Sequence, residues 1–212
     1  MDAPNRRYAT GMEVLDRRLD GGLPVGSLVA FTAPAWSQSE LLLAQLAREQ
    51  PVLLVSVTGA PPDEVRARFD VLGRPPVGVS VVSTRPGALL DDTGDVLDRV
   101  DPGSYVVLDP VDGLEAGDRE AYATFLNDLK SRLRETESVG VLHGLETDGS
   151  PPARGLTQKR ADFCWRLRVD DAGREIKARL LVTKARGHRA LTEPLPLVLT
   201  DQVRIDTSRM IV

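Results

Sequence analysis

The stretch Ser27 to Ala47, S-L-V-A-F-T-A-P-A-W-S-Q-S-E-L-L-L-A-Q-L-A, has the layout of a phosphate-binding loop. Its apolar run Leu28 to Phe31 predicts a buried strand, Thr32 to Gln38 a loop, and Ser39 onward a helix with Leu42, Leu43 and Leu46 inward. A working loop of this kind reads G-x-x-x-x-G-K-[ST]. Its glycines let backbone N–H groups close on the phosphates, while the Lys and the hydroxyl serve the terminal phosphate and Mg²⁺. In register, the four diagnostic positions hold Ala33, Gln38, Ser39 and Glu40. Ala33 and Gln38 disfavour the positive φ that glycine supplies, Ser39 carries no charge, and Glu40 places an anion where the helix N-terminus should receive phosphate. These residues predict a nucleotide site that has been dismantled. Trp36, at the tip of the loop, is a large apolar residue that could plug the vacated pocket or form a contact surface.

Other candidate residues stand at the ends of apolar runs. Ser104 to Asp109, S-Y-V-V-L-D, predicts a strand ending in a carboxylate, with Asp112 following in D-P-V-D-G-L. Asp109 reads either as a ligand of the Mg²⁺ shell or as a strand-end residue capping the next turn. His143 closes the strand Val139 to His143, on the side where open α/β sheets bind ligands. With no carboxylate partner visible in the sequence, a hydrogen-bonded packing role stands beside a catalytic one. Cys164, the single cysteine, sits in F-C-W and predicts a packed core thiol, in keeping with a reducing interior. Gly144 to Gln158, broken by Gly149, Pro151, Pro152 and Gly155, predicts the longest loop. Arg154, Lys159 and Arg160 there could contact nucleic acid, although no aromatic lies among them to stack a base.

The elements that must position these residues alternate between strand and helix. Thr10 is expected to cap a short helix with Glu13 three residues later, Val14, Leu15 and Leu19 forming its apolar face and Gly21-Gly22 stopping it. Val52 to Val57 predicts the second strand. Pro61 or Pro62 then opens a helix that buries Val65, Phe69 and Leu72. Val77 to Val82 reads as a strand and Ala88 to Val100 as one acidic helix with Leu89, Leu90, Val96 and Leu97 inward. Asp118 to Glu135 is the clearest helix, capped by Asp118, with Tyr122, Phe125, Leu126, Leu129 and Leu133 along one face. The remainder alternates as antiparallel strands: Phe163 to Val169, a turn at Asp170 to Gly173, Ile176 to Lys184, Leu195 to Thr200 and Val203 to Asp206.

The chain of 212 residues fits a single α/β domain: a tail over 1–9, a parallel core over 10–150, and a basic loop with an antiparallel extension over 151–212. Its formal charge of −4 is unevenly placed. Through Ser150 there are 14 Lys and Arg against 24 Asp and Glu, net −10; from Pro151 onward there are 13 against 7, net +6. The basic third suits a phosphate backbone, the acidic part of a neighbouring subunit, or a solvated sheet edge. The start, M-D-A-P-N-R-R, is not an apolar signal segment, and no run approaches the ~18 apolar residues of a membrane span, so a cytoplasmic protein without a membrane partner is expected.

One pattern carries a family resemblance. T-G-x-x-x-L-D-x-x-L-x-G-G-x-P-x-G-S over Thr10 to Ser27, followed by strand, loop and helix, resembles the opening of the RecA-superfamily core in its KaiC-like branch. R-A-D at Arg160 to Asp162, T-K-A-R-G at Thr183 to Gly187 and V-R-I-D-T-S-R at Val203 to Arg209 are similar to that family's later signatures. The resemblance spans Thr10 to Arg209 and implies a three-layer RecA-like P-loop NTPase fold, with a mostly parallel central sheet and C-terminal antiparallel strands.

The resemblance also implies site residues. In KaiC-like ATPases the second strand ends in two glutamates that polarise the attacking water; the matching positions here are Thr58 and Gly59. Lys184 and Arg186 match the cations that, in assembled hexamers, reach the phosphates of the adjacent subunit, and they also read as a basic strand-end pair. The leading expectation is therefore a non-catalytic regulator or scaffold without cofactor. It would act through protein contacts in signalling or DNA repair, roles that archaeal relatives suggest, as a homo-oligomer or beside an active relative. Two alternatives remain: an ATPase that holds ATP and Mg²⁺ through an altered loop and Asp109, and a DNA-binding accessory protein.

Overall fold

The computed structural model describes residues 6–67, 77–170, 176–189, 191–199 and 203–206. In chain order they form β1 (Arg7–Tyr8), α1 (Glu13–Arg18), β2 (Leu23–Pro24), β3 (Leu28–Pro34), α2 (Glu40–Leu46), β4 (Val52–Ser56), α3 (Pro62–Ala67) and β5 (Val79–Ser83). Then follow α4 (Pro86–Asp91), α5 (Gly94–Leu97), β6 (Tyr105–Asp109), α6 (Asp112–Glu115), α7 (Arg119–Glu135), β7 (Val139–Glu146) and α8 (Arg154–Arg160). The chain closes with β8 (Phe163–Asp170), β9 (Lys177–Ala185), β10 (Leu195–Leu199) and β11 (Val203–Ile205).

Nine strands make one sheet in the order β11-β10-β9-β8-β3-β7-β6-β4-β5. From β8 to β5 every neighbouring pair is parallel. Parallel neighbours require crossovers, and α2 to α8 supply them. Beyond β8 the strands β9, β10 and β11 pair antiparallel. No helix among the described residues is long and apolar enough to cross a membrane.

Strand alternation builds three layers. Val29, Phe31 and Ala33 of β3, with Val52, Leu54, Tyr105, Val107, Val139 and Val141, pack on one face against α1 and α2. Leu28, Leu53, Val55, Val106, Leu108 and Leu142 pack on the other against α4 to α7. Helix α7 matches its sequence reading: Asp118 Oδ1 accepts from the Ala121 N–H at 2.7 Å, and the five predicted apolar residues are buried. The sheet extension is different, because Phe163, Trp165, Leu167, Ala178, Leu180 and Val182 bury only one of its faces.

Four expectations need correction. Thr10 does not cap α1; Met12 occupies the N-cap, and Thr10 is buried with its hydroxyl on Asp16 Oδ1 at 2.8 Å. The single acidic helix is two short ones, α4 and α5, because Asp92 is extended and breaks the run; Asp92 Oδ1 then accepts from the Gly94 N–H. The long loop after His143 is mostly ordered, since β7 continues to Glu146 beside β3 and α8 covers 154–160. Arg7 and Tyr8 form β1 against β2, so they belong to the folded body rather than to a tail. Gly22 makes that ladder possible: its φ is +118°, and a Cβ there would lie 2.2 Å from the Tyr8 carbonyl oxygen. Phe69, Leu72, most of the predicted turn after Asp170, Thr200 and Arg209 lie outside the described residues.

Candidate functional site

Strands β3, β4, β6 and β7 end side by side, at the edge where doubly wound sheets place ligands. The loop after β3 is a closed turn. The Ser37 N–H and its hydroxyl both donate to the Pro34 carbonyl, at 2.9 and 2.6 Å, and the Ala35 N–H donates to the Glu146 carbonyl. Two amides of the loop are thus satisfied within the protein. Ala33 and Ser39 are buried, Gln38 and Glu40 are exposed, and Trp36 projects with 66% of its surface in solvent. Ser39 makes no side-chain cap to α2. Trp36 therefore does not plug a pocket; it borders a groove of about 500 Å³ lined by Val169, Ile176, Ala178, Leu197 and Val198.

Asp109 is not a turn cap. Its Oδ1 accepts from Nδ1 of His143 at 2.5 Å, and His143 stacks on Phe31 with ring centroids 5.0 Å apart. The partner that sequence reading did not find is supplied by register: Leu108 pairs with Leu142, so the next residues of two parallel strands meet. The signal was available in the equal offset of Asp109 and His143 from the starts of β6 and β7. Nε2 of His143 is buried and has no hydrogen-bond partner among the described residues. Beside this pair, Ser56 ends β4 opposite Asp109, and its hydroxyl shares a 3.0 Å hydrogen bond with Thr58. Gly59 follows with φ of +74°, and its N–H donates to the Thr84 carbonyl at 3.0 Å.

Asp112 serves a second cluster. Its Oδ2 accepts from the Leu145 N–H at 2.9 Å and its Oδ1 from Arg154 Nη2 at 2.7 Å. Arg154 Nε also donates to Oε2 of the fully buried Glu115 at 2.6 Å, and Thr157 donates to Glu115 Oε1. Tyr122 completes the chain by donating to Thr157 Oγ1 at 2.8 Å. Burial raises the Glu115 carboxyl above its ordinary value, against the opposing pull of Thr157 and Arg154. Arg154, grouped in the sequence with Lys159 and Arg160, is thus an interior residue, whereas those two are exposed on α8.

Lys184 and Arg186 are placed together near the end of α8. Lys184 Nζ donates to the carbonyls of Gln158, Lys159 and Ala161 at 2.9, 3.2 and 2.6 Å, holding the helix C-terminus. Arg186, 57% exposed, pairs with Asp162 at 3.2 Å. Cys164 is half-buried rather than sealed in the core; its neighbours Thr32, Arg166 and Thr183 line a polar cavity of about 240 Å³. Burial raises its thiol above the ordinary cysteine value.

The sheet order and the helix layers on both of its faces give the chain a RecA-like fold of the KaiC-like kind. Its backbone is similar to the crystal structure of the KaiC-like protein PH0186 from the hyperthermophilic archaeon Pyrococcus horikoshii, with a TM-score of 0.74 over 95% of this chain and 99% of that one. At 17% identity, that likeness carries the fold alone. In sequence, the chain belongs to a family of unknown function, DUF7125, whose model matches residues 7–212. No curated protein matches it significantly in sequence.

Proposed function

We propose that this protein is a non-catalytic member of the KaiC-like fold, a regulator or scaffold that acts through protein contacts. The observation that carries the reading is the Asp109–His143 hydrogen bond. A strand-end carboxylate that would hold a Mg²⁺ shell is instead bonded to the chain's own imidazole. The surroundings agree. Two loop amides are engaged by carbonyls, Glu40 stands exposed at the start of α2, and Thr58 and Gly59 offer no carboxylate to polarise a water. These residues do not fit ATP and Mg²⁺. Loss of the Lys and gain of Glu40 together disfavour a phosphate by several hundredfold, at ~1.5–3 kcal/mol for each charged contact. Exposed Trp36 and its apolar groove supply surface for a protein contact.

Calorimetric titration with ATP and Mg²⁺, with Trp fluorescence as a second reporter, tests the reading. No heat and no fluorescence change at millimolar nucleotide is expected. Binding tighter than ~100 µM, roughly −5.5 kcal/mol, overturns it and makes the altered loop a working site.

A further inference from the structure

On the side of the sheet away from α2, helices α7 and α8 enclose a groove of about 510 Å³ lined by Lys130, Arg134, Lys159, Arg160 and Arg186, with Asn127 and Ser131 between them. Asn127, Lys130, Ser131 and Arg134 fall at helical spacing along one stripe of α7. The only carboxylate contacting these cations is Asp162, which meets Lys130 at 3.0 Å and Arg186 at 3.2 Å among the described residues. Five cations against that one anion leave four positive charges in one groove, on a chain whose net charge is −4.

The uncovered face of β8 and β9 continues this surface. Arg168 and Arg179 lie directly opposite each other in the antiparallel ladder, both exposed, and neither has an ion-pair partner among the described residues. Strand alternation puts them on the same face as Cys164 and Arg166, which look toward α8. Like charges directly opposite on a ladder are destabilising, so this pair favours an external anion. Two separate arrangements of unsatisfied cations thus share one side of the molecule.

From this we infer that the α7–α8 groove, extended by Arg168 and Arg179, binds the phosphate backbone of double-stranded nucleic acid without regard to sequence. The size and spread of the charge exceed what a single phosphate can satisfy. Asn127 and Ser131 offer neutral hydrogen bonds of the sort that phosphate oxygens receive. No aromatic side chain lines the groove. Single strands are held largely by stacking on aromatic rings, whereas a duplex presents a denser line of charge and needs only cations. This surface is separate from the loop after β3, so the inference stands or falls independently of the nucleotide reading.

Fluorescence anisotropy of a short mixed-sequence DNA duplex tests it. Phosphate contacts from Arg134, Lys159, Arg160, Arg168 and Arg179, the five cations here without an ion-pair partner among the described residues, predict an affinity that falls on the order of a few hundredfold between about 50 and 200 mM salt. The triple variant Arg134→Ala, Lys159→Ala, Arg160→Ala removes exposed side chains without ion-pair partners among the described residues, and should flatten the log–log salt slope by about two to three. Arg168→Glu separates folding from binding: it faces Arg179 with an opposite charge, so it should raise Tm while weakening duplex affinity. Absence of binding at low salt, or a triple variant with wild-type affinity and slope, overturns the inference. So does single-stranded DNA that binds as tightly as the duplex. Competition by polyglutamate at equal charge would assign the groove to an acidic protein segment and overturn it as well.

Discussion

Nδ1 of His143 lies 2.5 Å from Oδ1 of Asp109, and the face of the imidazole stacks on the ring of Phe31. Two contacts of different kinds therefore fix one side chain, and substitutions can separate them. His143→Phe keeps an aromatic ring on Phe31 but leaves Asp109 without its donor, at a cost of about 1.5–3 kcal/mol for a charged hydrogen bond. Asp109→Asn keeps an oxygen acceptor and should lose less. Urea unfolding with a shared m-value measures both, and a reversed order would mean that the hydrogen bond contributes nothing to stability.

Arg154 is the sole cation against Glu115 among the described residues and is shared with Asp112. Arg154→Met strands a fully buried carboxylate, and a loss of about 3–5 kcal/mol is expected. For a chain of this size that corresponds to a fall in Tm on the order of 10 °C. Calorimetric melting checks it; a change under one degree would show that the cluster is open to water.

Glu115 also sets a pH dependence. Its folded-state pKa is raised by burial, so the native protein binds the proton more tightly than the unfolded chain does. The stability linked to this group is fully present below the unfolded value of about 4.3 and is lost as pH rises to the folded value. Relative to Glu115→Gln, which does not titrate, the wild type should lose stability as pH rises through this window. Parallel denaturant curves across mildly acidic pH read the slope; a difference that grows with pH contradicts the sign.

Gly22→Ala tests the N-terminal ladder. The new methyl would meet the Tyr8 carbonyl oxygen at 2.2 Å, and this neighbour is backbone that no rotamer change can move aside. A loss of about 1–3 kcal/mol is expected, with amide exchange quickening in β1 and β2 before the rest of the sheet. Uniform exchange would place the ladder inside the global unfolding unit.

Cys164 should react slowly with thiol reagents at neutral pH, because burial raises its pKa and keeps the thiolate scarce. Alkylation followed by mass spectrometry, stepped toward alkaline pH, should show the rate climbing above that of the native protein at pH 7. A rate matching free cysteine would refute the burial.

Much of the fold was legible because its periodicities are long and clean. Tyr122, Phe125, Leu126, Leu129 and Leu133 announce α7, and the parallel strands read as apolar runs because both of their faces are covered. What misled was local. Pro151, Pro152 and Gly155 suggest an open loop, yet Arg154 and Thr157 draw the segment onto Glu115 and a helix forms. Tertiary pairing, invisible to local propensity, also decided that Asp109 meets His143 and that Lys184 turns back on α8. The loop residues Ala33, Gln38, Ser39 and Glu40 were readable by type, but the inward bonding of the Ala35 and Ser37 amides was not.

The hold of Lys184 on the end of α8 bears on the order in which the molecule is made. A helix of seven residues does not persist alone in water, and the carbonyls at its end are gathered by an amine from β9. As the chain leaves the ribosome, everything through Ser150, with a net charge of −10, is synthesised before that amine. The α7–α8 groove, which draws Lys159, Arg160 and Arg186 from beyond Ser150, is therefore complete only once β9 has followed an acidic stretch that ribosomal RNA repels.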